Sequence, residues 1–238
     1  MLSATSCIHY YYAPNSNNVP LFKEKNEARI QASYSTVGLR ADGSDVIDGF
    51  EIQSAYAVGN HAAVQLNFLH AGDKESGYGS GNGNYVEAAG GYFKPLLDKQ
   101  WIFETYAGIG IGGVNSEYTY PATGNAATSI TKFFIQPSIG YTSDYFSTAF
   151  SSKFSLVDFG VRSSSLTKEN NADDYDYIES FKKGKSYFWW EPGVMFRAGF
   201  KNVQAISQIT CSVHGNDQPF CYLNYSLGIV VLIKGKAK

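Results

Sequence analysis

The feature that most constrains this chain is an alternation of apolar and polar residues with a period of two, which recurs from residue 28 onward. This pattern indicates β-strands with one face in apolar and the other in polar surroundings. A strand tilted across a bilayer needs about 9 to 11 residues, whereas globular strands usually have about five or six. The lengths therefore predict ten membrane-length strands, approximately at 28–39, 47–58, 62–71, 84–94, 101–115, 131–142, 146–160, 186–200, 203–211 and 221–233.

The connections between these stretches alternate in length along the chain. The long ones are 40–46, 72–83, 116–130, 161–185 and 212–220, and the short ones are 59–61, 95–100, 143–145 and 201–202. Outer-membrane barrels have short periplasmic turns, long extracellular loops and an even number of strands, whereas a Greek-key sandwich has no reason to keep this alternation. We therefore expect an all-β fold, a single closed antiparallel up-and-down transmembrane β-barrel of about ten strands over 28–238. It would contact the lipid of a bacterial outer membrane, with both termini periplasmic.

Composition and charge agree with a strand-rich chain. The 238 residues include 18 Tyr, 16 Phe and 24 Gly but only 2 Met, a profile typical of strands and turns. The net charge of −2 is spread without a basic stripe, so nucleic acid is not expected as a partner. No stretch approaches the roughly 20 apolar residues of a membrane-spanning helix.

The two faces of each strand can be read from the alternation, but alternation alone does not say which face points inward. In the fifth strand Phe103, Ile109 and Ile111 oppose Glu104 and Gly110. The alternating connections favour a membrane barrel, and so place the polar face in the lumen. The lumen then collects four acidic and four basic residues: Arg29, Glu51, Glu87, Glu104, Lys132, Lys153, Glu191 and Arg197.

These eight charges allow two interpretations. Isolated charges inside a barrel of this size would be costly unless they were paired, so one interpretation is an internal ion-pair network that plugs the barrel. The other is a narrow polar conduit. Aromatic residues near the predicted strand ends, among them Trp101, Tyr141, Tyr187 and Trp189, fit interfacial girdles.

The cysteines suggest export and covalent modification. Residues 1–7 look like the end of an export signal with a lipoprotein processing site at Cys7, which would make residues 8–27 a periplasmic tether; the alternative is a free cysteine in a tail. Cys211 and Cys221 flank the last long connection, where neighbouring strand ends can come within disulfide range. We expect a bridge between them, with two free thiols as the alternative.

Three stretches carry a resemblance to a known class of proteins. They are residues 18–25 (Asn-Val-Pro-Leu-Phe-Lys-Glu-Lys) after the lipobox-like Cys7, residues 55–58 (Ala-Tyr-Ala-Val) and residues 134–140 (Phe-Ile-Gln-Pro-Ser-Ile-Gly). Together with the arrangement of the strands, the chain resembles the small outer-membrane β-barrel proteins of Bacteroidota, of the broad OmpX- and OmpW-like class. The resemblance implies a location far more than an activity.

Motifs that could carry chemistry are weak. The spacing Gly108-x-Gly110-x-x-Gly113 matches a dinucleotide fingerprint, but a loop is predicted after it where the motif needs a helix. The four histidines lack metal-ligand spacing. His214 and the acidic residues 173–176 permit only a remote comparison with omptin-like proteases. We therefore expect no catalytic residues, no metal and no cofactor, and a protein that is not an enzyme.

Three functions are compatible with this sequence. The first is a plugged barrel with a structural or interaction role, displaying the loops 72–83, 116–130 and 161–185 to extracellular or envelope protein partners, because such polar loops suit surface contact. The second is a small channel or transporter for polar solutes through the charged lumen. The third is a soluble lipocalin-like carrier whose apolar strand faces point inward.

Overall fold

The computed structural model describes residues 11–37, 47–72, 79–120, 122–214 and 223–235, except for the side chain of Asp98. Its strands form one closed barrel in which each strand pairs antiparallel with its sequence neighbours and β1 pairs with β10. The all-β prediction and the number of strands are confirmed. The strands are β1 Ala28–Val37, β2 Ile47–Ala57, β3 Ala62–Gly72, β4 Gly79–Leu96, β5 Trp101–Tyr118, β6 Gly124–Thr142, β7 Phe146–Ser164, β8 Ser186–Gly199, β9 Val203–Cys211 and β10 Leu223–Ile233.

Two helices accompany the barrel in the described ranges. The short α1 (Leu97–Gln100) links β4 to β5, and α2 (Ala172–Lys182) lies in the connection between β7 and β8. Neither of these helices is long and apolar enough to cross a membrane. The helix α2 was not expected from the sequence, because it is embedded in a polar connection.

The two ends of the barrel differ in their connections. At one end, which we call the turn end, the connections 58–61, 97–100, 143–145 and 200–202 contain three or four residues. We call the other end the loop end. There the strands β4 to β7 extend further than predicted, since they contain 18 or 19 residues, and much of the predicted loops 72–83 and 116–130 is paired strand. The Gly, Ser and Asn residues that suggested loops are held by cross-strand pairing, as between Gly79 and Tyr118.

The outer surface in the middle of the barrel is apolar and the inner surface is polar. Large apolar side chains alternate with buried polar ones, as in β1, where Ile30 is 50% exposed while Gln31 is fully buried. We call this zone the membrane belt. Its outer face includes Ile30, Leu66, Ile109, Ile111, Phe133, Ile135, Phe154, Leu156, Phe196 and Ile229, all at least 38% exposed. A soluble barrel would bury these side chains, so the inward apolar faces that a lipocalin-like carrier requires are absent from the belt.

Above the belt the polarity reverses. We call this part the loop-end extension; it comprises residues 79–84, 112–118, 124–131, 158–164 and α2. Its outer face carries Asn115, Asn125 and Arg162, whereas Ile130 and Phe159 point inward. Together with Val157 at its border, these inward side chains form a hydrophobic core with Tyr118, Ala126, Leu166, Ile178 and Phe181.

A segment that precedes β1 runs through the interior. Residues 11–22, here called the lumen segment, have no regular secondary structure and every one except Ala13 is buried. Tyr11 lies at the loop end against Tyr118, and Phe22 lies near the turn end against Phe93. Asn26, in a left-handed conformation with φ 68° that asparagine tolerates, helps to reverse the chain into β1.

The lumen segment corrects one expectation. The expected periplasmic tether 8–27 is wrong for residues 11–22, because their polar groups find hydrogen-bond partners in the lumen. The described chain also begins at the loop end and finishes at the turn end, where Ile233 pairs with Ala28. Both termini of the full chain lie outside the described residues, so the expectation that both are periplasmic stays a prediction. Residues 1–7, with Cys7, lie outside the described residues.

Candidate functional site

All eight charged residues assigned to the lumen point into it. Each is at most 3% exposed, because each occupies the inward position of the alternation in its strand. The structure separates them into two groups, according to what each charge contacts.

The first group is an ion-paired cluster of four residues. Lys132 Nζ lies 2.6 Å from Glu191 Oε2 and 3.4 Å from Glu87 Oε1, and Lys153 Nζ lies 3.1 Å from Glu87 Oε2. Ser155 and Tyr12 also donate hydrogen bonds to Glu191. Two acids and two bases thus neutralise each other, which is the condition under which buried charges are tolerated.

The second group is bound mainly by neutral polar groups. Glu104 Oε1 accepts the backbone N–H groups of Leu21 and Phe22 at 2.9 and 3.2 Å. Arg197 donates to the carbonyl oxygen of Pro20 at 3.2 Å, and Arg29 donates to the side chain of Asn18. Within the described ranges none of these three residues lies within 4.0 Å of an oppositely charged group.

Glu51 completes this second group. Its carboxylate accepts the backbone N–H of Ser16 at 3.2 Å and the side-chain amide of Asn224 at 2.7 Å. All four members of the group except Arg29 therefore touch the backbone of the lumen segment, and Arg29 touches one of its side chains. The ion-pair network expected from the sequence joins only half of the eight residues.

Side chains of the barrel also satisfy the carbonyl groups of the lumen segment. An extended segment without a neighbouring strand leaves its backbone unpaired, which is costly in a buried place. Here amide side chains donate to four of the carbonyl oxygens between residues 14 and 18, with distances between 2.7 and 3.1 Å. The pairs are Asn224 to Pro14, Gln53 to Ser16, Gln208 to Asn17, and both Gln65 and Gln136 to Asn18.

Side chains of the segment bond to the wall as well. Asn15 donates to Glu87 Oε2 at 2.9 Å, Asn17 to Ser151 Oγ at 3.0 Å and Asn18 to Asn67 Oδ1 at 2.7 Å. The segment is therefore fixed at several heights of the lumen, from the ion-paired cluster down to Arg197. Sequence reasoning missed it, although the run of inward glutamines was a signal, because buried amide groups need partners.

The lumen is covered at both ends. At the loop end Tyr11 contacts Phe181 of α2 edge-on, with ring centroids 5.3 Å apart, and donates a hydrogen bond to Asp174 at 3.1 Å. At the turn end a cavity of about 240 Å³ opens between Lys23, Arg197 and Lys234, and Pro20 to Phe22 form part of its wall. The lumen segment thus separates this cavity from the interior.

The structure also bears on the expected aromatic girdle, the glycine motif and metal binding. Tyr187 and Trp189 are buried inside the loop-end core, so their assignment to an outer girdle is wrong. Gly110 lies within β5, without the following helix that dinucleotide binding needs, and a Cβ there would collide with the Tyr85 hydroxyl. The described part of the chain contains no group of three or more His, Cys, Asp or Glu residues that could hold a metal ion.

The expected disulfide stays a prediction. Cys211 is partly buried at the last position of β9, opposite Leu223 of β10. Cys221 lies outside the described residues.

The chain was compared with known proteins. No protein-family model matches it, and no curated protein matches it in sequence. Solved structures match its fold. Ail, the attachment invasion locus protein of Yersinia pestis, is 13% identical with a TM-score of 0.40, and the match covers 88% of this chain and 99% of that one.

Two further structures match along most of their length. The translocator domain of the autotransporter NalP from Neisseria meningitidis is 10% identical with a TM-score of 0.48, and 89% of each chain is covered. A loop deletion mutant of OmpT, an outer membrane protein of Vibrio cholerae, is 8% identical with a TM-score of 0.31, and 87% of this chain and 98% of that chain are covered. At these values the similarity concerns the barrel fold and gives no evidence of a shared function.

Proposed function

We propose that this protein is a barrel of the bacterial outer membrane whose lumen is closed by residues 11–22, and that it has a structural or interaction role at the cell surface. In this proposal it is neither an enzyme nor a channel. The observation that carries the proposal is the lumen segment, which is buried and hydrogen-bonded along its length to the charged and amide side chains of the wall.

The membrane location is supported by the surface of the molecule. An apolar outer belt suits hydrocarbon, and the pairing of β1 with β10 closes the sheet so that no strand edge is left open to lipid. The reversal of polarity in the loop-end extension marks the height at which water replaces lipid outside the wall. The short turns then face the periplasm and the loop end faces outward. The resemblance to the barrels of Bacteroidota stays a prediction.

The interaction role rests on the loop-end extension. Its four long strands and α2 share a hydrophobic core, so the outward-facing surface is held on a packed base. In this proposal the extracellular or envelope protein partners would contact this surface, which includes the described parts of 72–83, 116–130 and 161–185.

Conductance in planar lipid bilayers tests the closed lumen. We expect the purified full chain to show no steady pore, and a variant that lacks residues 11–22 to conduct, because the hydrogen-bonded filling of the lumen is gone. As a matched control, residues 172–182 are replaced by a Gly-Ser linker of the same length. The lumen of this variant should stay closed, since the part of the lumen segment from Asn15 to Phe22 keeps its hydrogen bonds to the wall.

A steady, ion-selective conductance of the unmodified protein would contradict the proposal and would favour the small channel for polar solutes. This reading does not depend on whether the deletion variant folds. Release of the protein from carbonate-washed membranes would contradict the membrane location itself.

A further inference from the structure

We propose that the cavity at the turn end is a binding site for a phosphate group, carried either by a small soluble phosphate ester or by the headgroup of a lipid. This inference goes beyond the closed barrel of the proposed function. It depends on the proposed outer-membrane location only for the side from which the phosphate group would enter, which is the periplasm.

The cavity lies where the lumen segment meets the turn-end connections. Pro20 to Phe22 form part of its wall, and the connections 97–100, 143–145 and 200–202 each contribute at least one residue. Its volume of about 240 Å³ would hold about eight water molecules at roughly 30 Å³ each. The space therefore suits a small polar group rather than a drug-sized ligand.

The wall of the cavity carries more positive than negative charge. Its five basic residues are Lys23, Lys99, Arg197, Lys201 and Lys234. Its three acidic residues are Glu24, Glu27 and Asp144. The five bases exceed the three acids by two positive charges, which match the charge of about −1.5 to −2 that a phosphate monoester carries at neutral pH.

Two of the three acidic residues already have donors of their own. Asp144 lies 2.7 Å from Lys234 Nζ and 3.9 Å from Lys201 Nζ. Glu27 Oε2 accepts the backbone N–H groups of Lys23 at 2.6 Å and Glu24 at 3.3 Å. Within the described ranges no carboxylate lies within 4.0 Å of the side-chain nitrogen atoms of Lys23 or Arg197.

In the described part of the chain the side chains of Lys23 and Arg197 donate only to neutral oxygen atoms. Lys23 donates to the carbonyl oxygen of Thr142 at 3.4 Å. Arg197 donates to the carbonyl oxygen of Pro20 at 3.2 Å and to the hydroxyl of Thr142 at 3.5 Å. The Nε of Arg197 has no hydrogen-bond partner among the described residues, although Arg197 is only 3% exposed.

The electrostatic surroundings of Lys23 agree with this shortage of negative charge. Burial lowers the pKa of Lys23, and the nearby positive charges of Lys234 and Arg197 lower it further. A bound anion would offset this repulsion and would offer acceptors to both cations.

Phosphate suits these two donors better than a carboxylate does. The guanidinium group of Arg197 is a planar fork of donors and the ammonium group of Lys23 is a compact charge, and the several oxygens of a phosphate can accept from both at once. A single carboxylate carries one negative charge and would leave one of the two surplus positive charges unmatched.

Equilibrium dialysis of the purified full chain against radiolabelled inorganic phosphate tests the site. In a nonionic detergent at low ionic strength we expect saturable binding of one phosphate per chain. Lys23→Gln should weaken this binding about tenfold or more, because it removes a charge-assisted hydrogen bond. Absence of saturable binding to the unmodified chain would overturn the proposal, and this outcome does not depend on whether a variant folds.

Two further variants separate a defined site from a general attraction of phosphate to lysine. Lys183→Gln removes the same charge at an exposed position after α2, at the loop end, and should leave binding unchanged. Asp144→Asn removes the acid that holds Lys234 and Lys201, and should strengthen binding severalfold. Equal weakening by Lys23→Gln and Lys183→Gln, or weaker binding by Asp144→Asn, would overturn the proposal.

Competition with inorganic phosphate identifies the carrier of the phosphate group. The competitors are glycerol phosphate and a short-chain phosphatidic acid. Displacement at a lower concentration of the phosphatidic acid would identify a lipid headgroup, and otherwise the carrier is a soluble ester. Failure of both compounds to displace inorganic phosphate would overturn the assignment to a phosphate ester. These measurements are made in detergent, so their failure leaves the proposed closed barrel and its membrane location untouched.

Discussion

The membrane belt and the loop-end extension are built from the same strands but have opposite polarity. In β7, Phe154 points outward within the belt and Lys153 points inward, whereas in the extension Arg162 is exposed and Phe159 points into the core. Strand geometry alternates side chains in the same way in both parts. In the proposed membrane this difference follows from the surroundings. Lipid would lie outside the belt and polar groups lie inside it, whereas water would lie outside the extension and α2 packs inside it.

This comparison shows that a strand does not have one apolar face along its whole length. In β7 the alternation stays in phase from the belt to Val161, and a register shift against β6 follows at Arg162. The outer residues already change from apolar to polar near Asp158, within the part that is in phase. Stability in the belt then depends on satisfied charges in the interior, and stability in the extension depends on packed aromatic rings.

The largest expected effect is the loss of a charge inside the belt. Lys132→Met leaves Glu87 and Glu191 with Lys153 as the remaining base of the ion-paired cluster, and breaking a buried pair costs about 3 to 5 kcal/mol. We expect the free energy of unfolding, measured with urea in detergent micelles, to fall by about 4 kcal/mol. Adding Glu191→Gln to the same chain should restore most of the loss.

Lys182→Met is the matched control in the extension. Lys182 forms an ion pair with Glu179 in which both side chains are exposed, and such pairs contribute about 0 to 1 kcal/mol. Equal losses for the two lysine variants would show that the interior of the belt is as well hydrated as the surface.

The next effect concerns the aromatic core of the extension. Phe159 packs on Phe181 with ring centroids 4.7 Å apart, and truncation of a buried Phe costs about 3 to 5 kcal/mol. We expect Phe159→Ala to lower the free energy of unfolding by about 3 kcal/mol. Phe154→Ala on the same strand should cost clearly less, because detergent or lipid can fill the vacated volume outside the belt. A larger loss of free energy of unfolding for Phe154→Ala than for Phe159→Ala would contradict the contrast between the belt and the extension.

The smallest effect is a charge placed on the outer surface. Ile135→Lys puts an ammonium group against lipid, which costs about 2 to 4 kcal/mol at the bilayer midplane and about 0 to 1 near an interface. We expect a loss of about 2 kcal/mol for the protein refolded into lipid vesicles. Asn125→Lys on the same face of β6, in the extension, should change stability very little. An equal loss of free energy of unfolding for Ile135→Lys and Asn125→Lys would contradict a boundary between lipid and water that lies between these two positions.

The sequence predicts the barrel well because alternation depends only on strand geometry. The alternation divides each strand into two faces, and the alternating lengths of the connections indicate which face points inward, so Glu104 and Arg197 could be placed in the lumen before any contact was known. The lumen segment could not be found in this way, since it has no alternation and Pro14 and Pro20 disfavour a regular strand. One clue is that residues 11–22 contain no Asp, Glu, Lys or Arg, whereas Lys23 begins a charged run; a solvated tether has no need of such neutrality.

The ion-pair partners could not be predicted either. The alternation assigns a charged side chain to one face of its strand. It does not show how far that side chain reaches or which other residues enter the lumen. The helix α2 escaped prediction because its buried residues Ile178 and Phe181 are two apolar side chains in a polar connection. Both omissions concern contacts between distant parts of the chain.

The reversal of the chain between the lumen segment and β1 has a mechanical consequence. A force that pulls Tyr11 outward at the loop end runs along the lumen segment, where the hydrogen bonds to the wall are loaded together in shear. Only after they fail would the load reach Ala28 and peel β1 from β10 and β2, one pair at a time. The hydrogen bonds of the lumen segment therefore bear a pulling force first, and the pairing of β1 with β10, which closes the barrel, is loaded only afterwards.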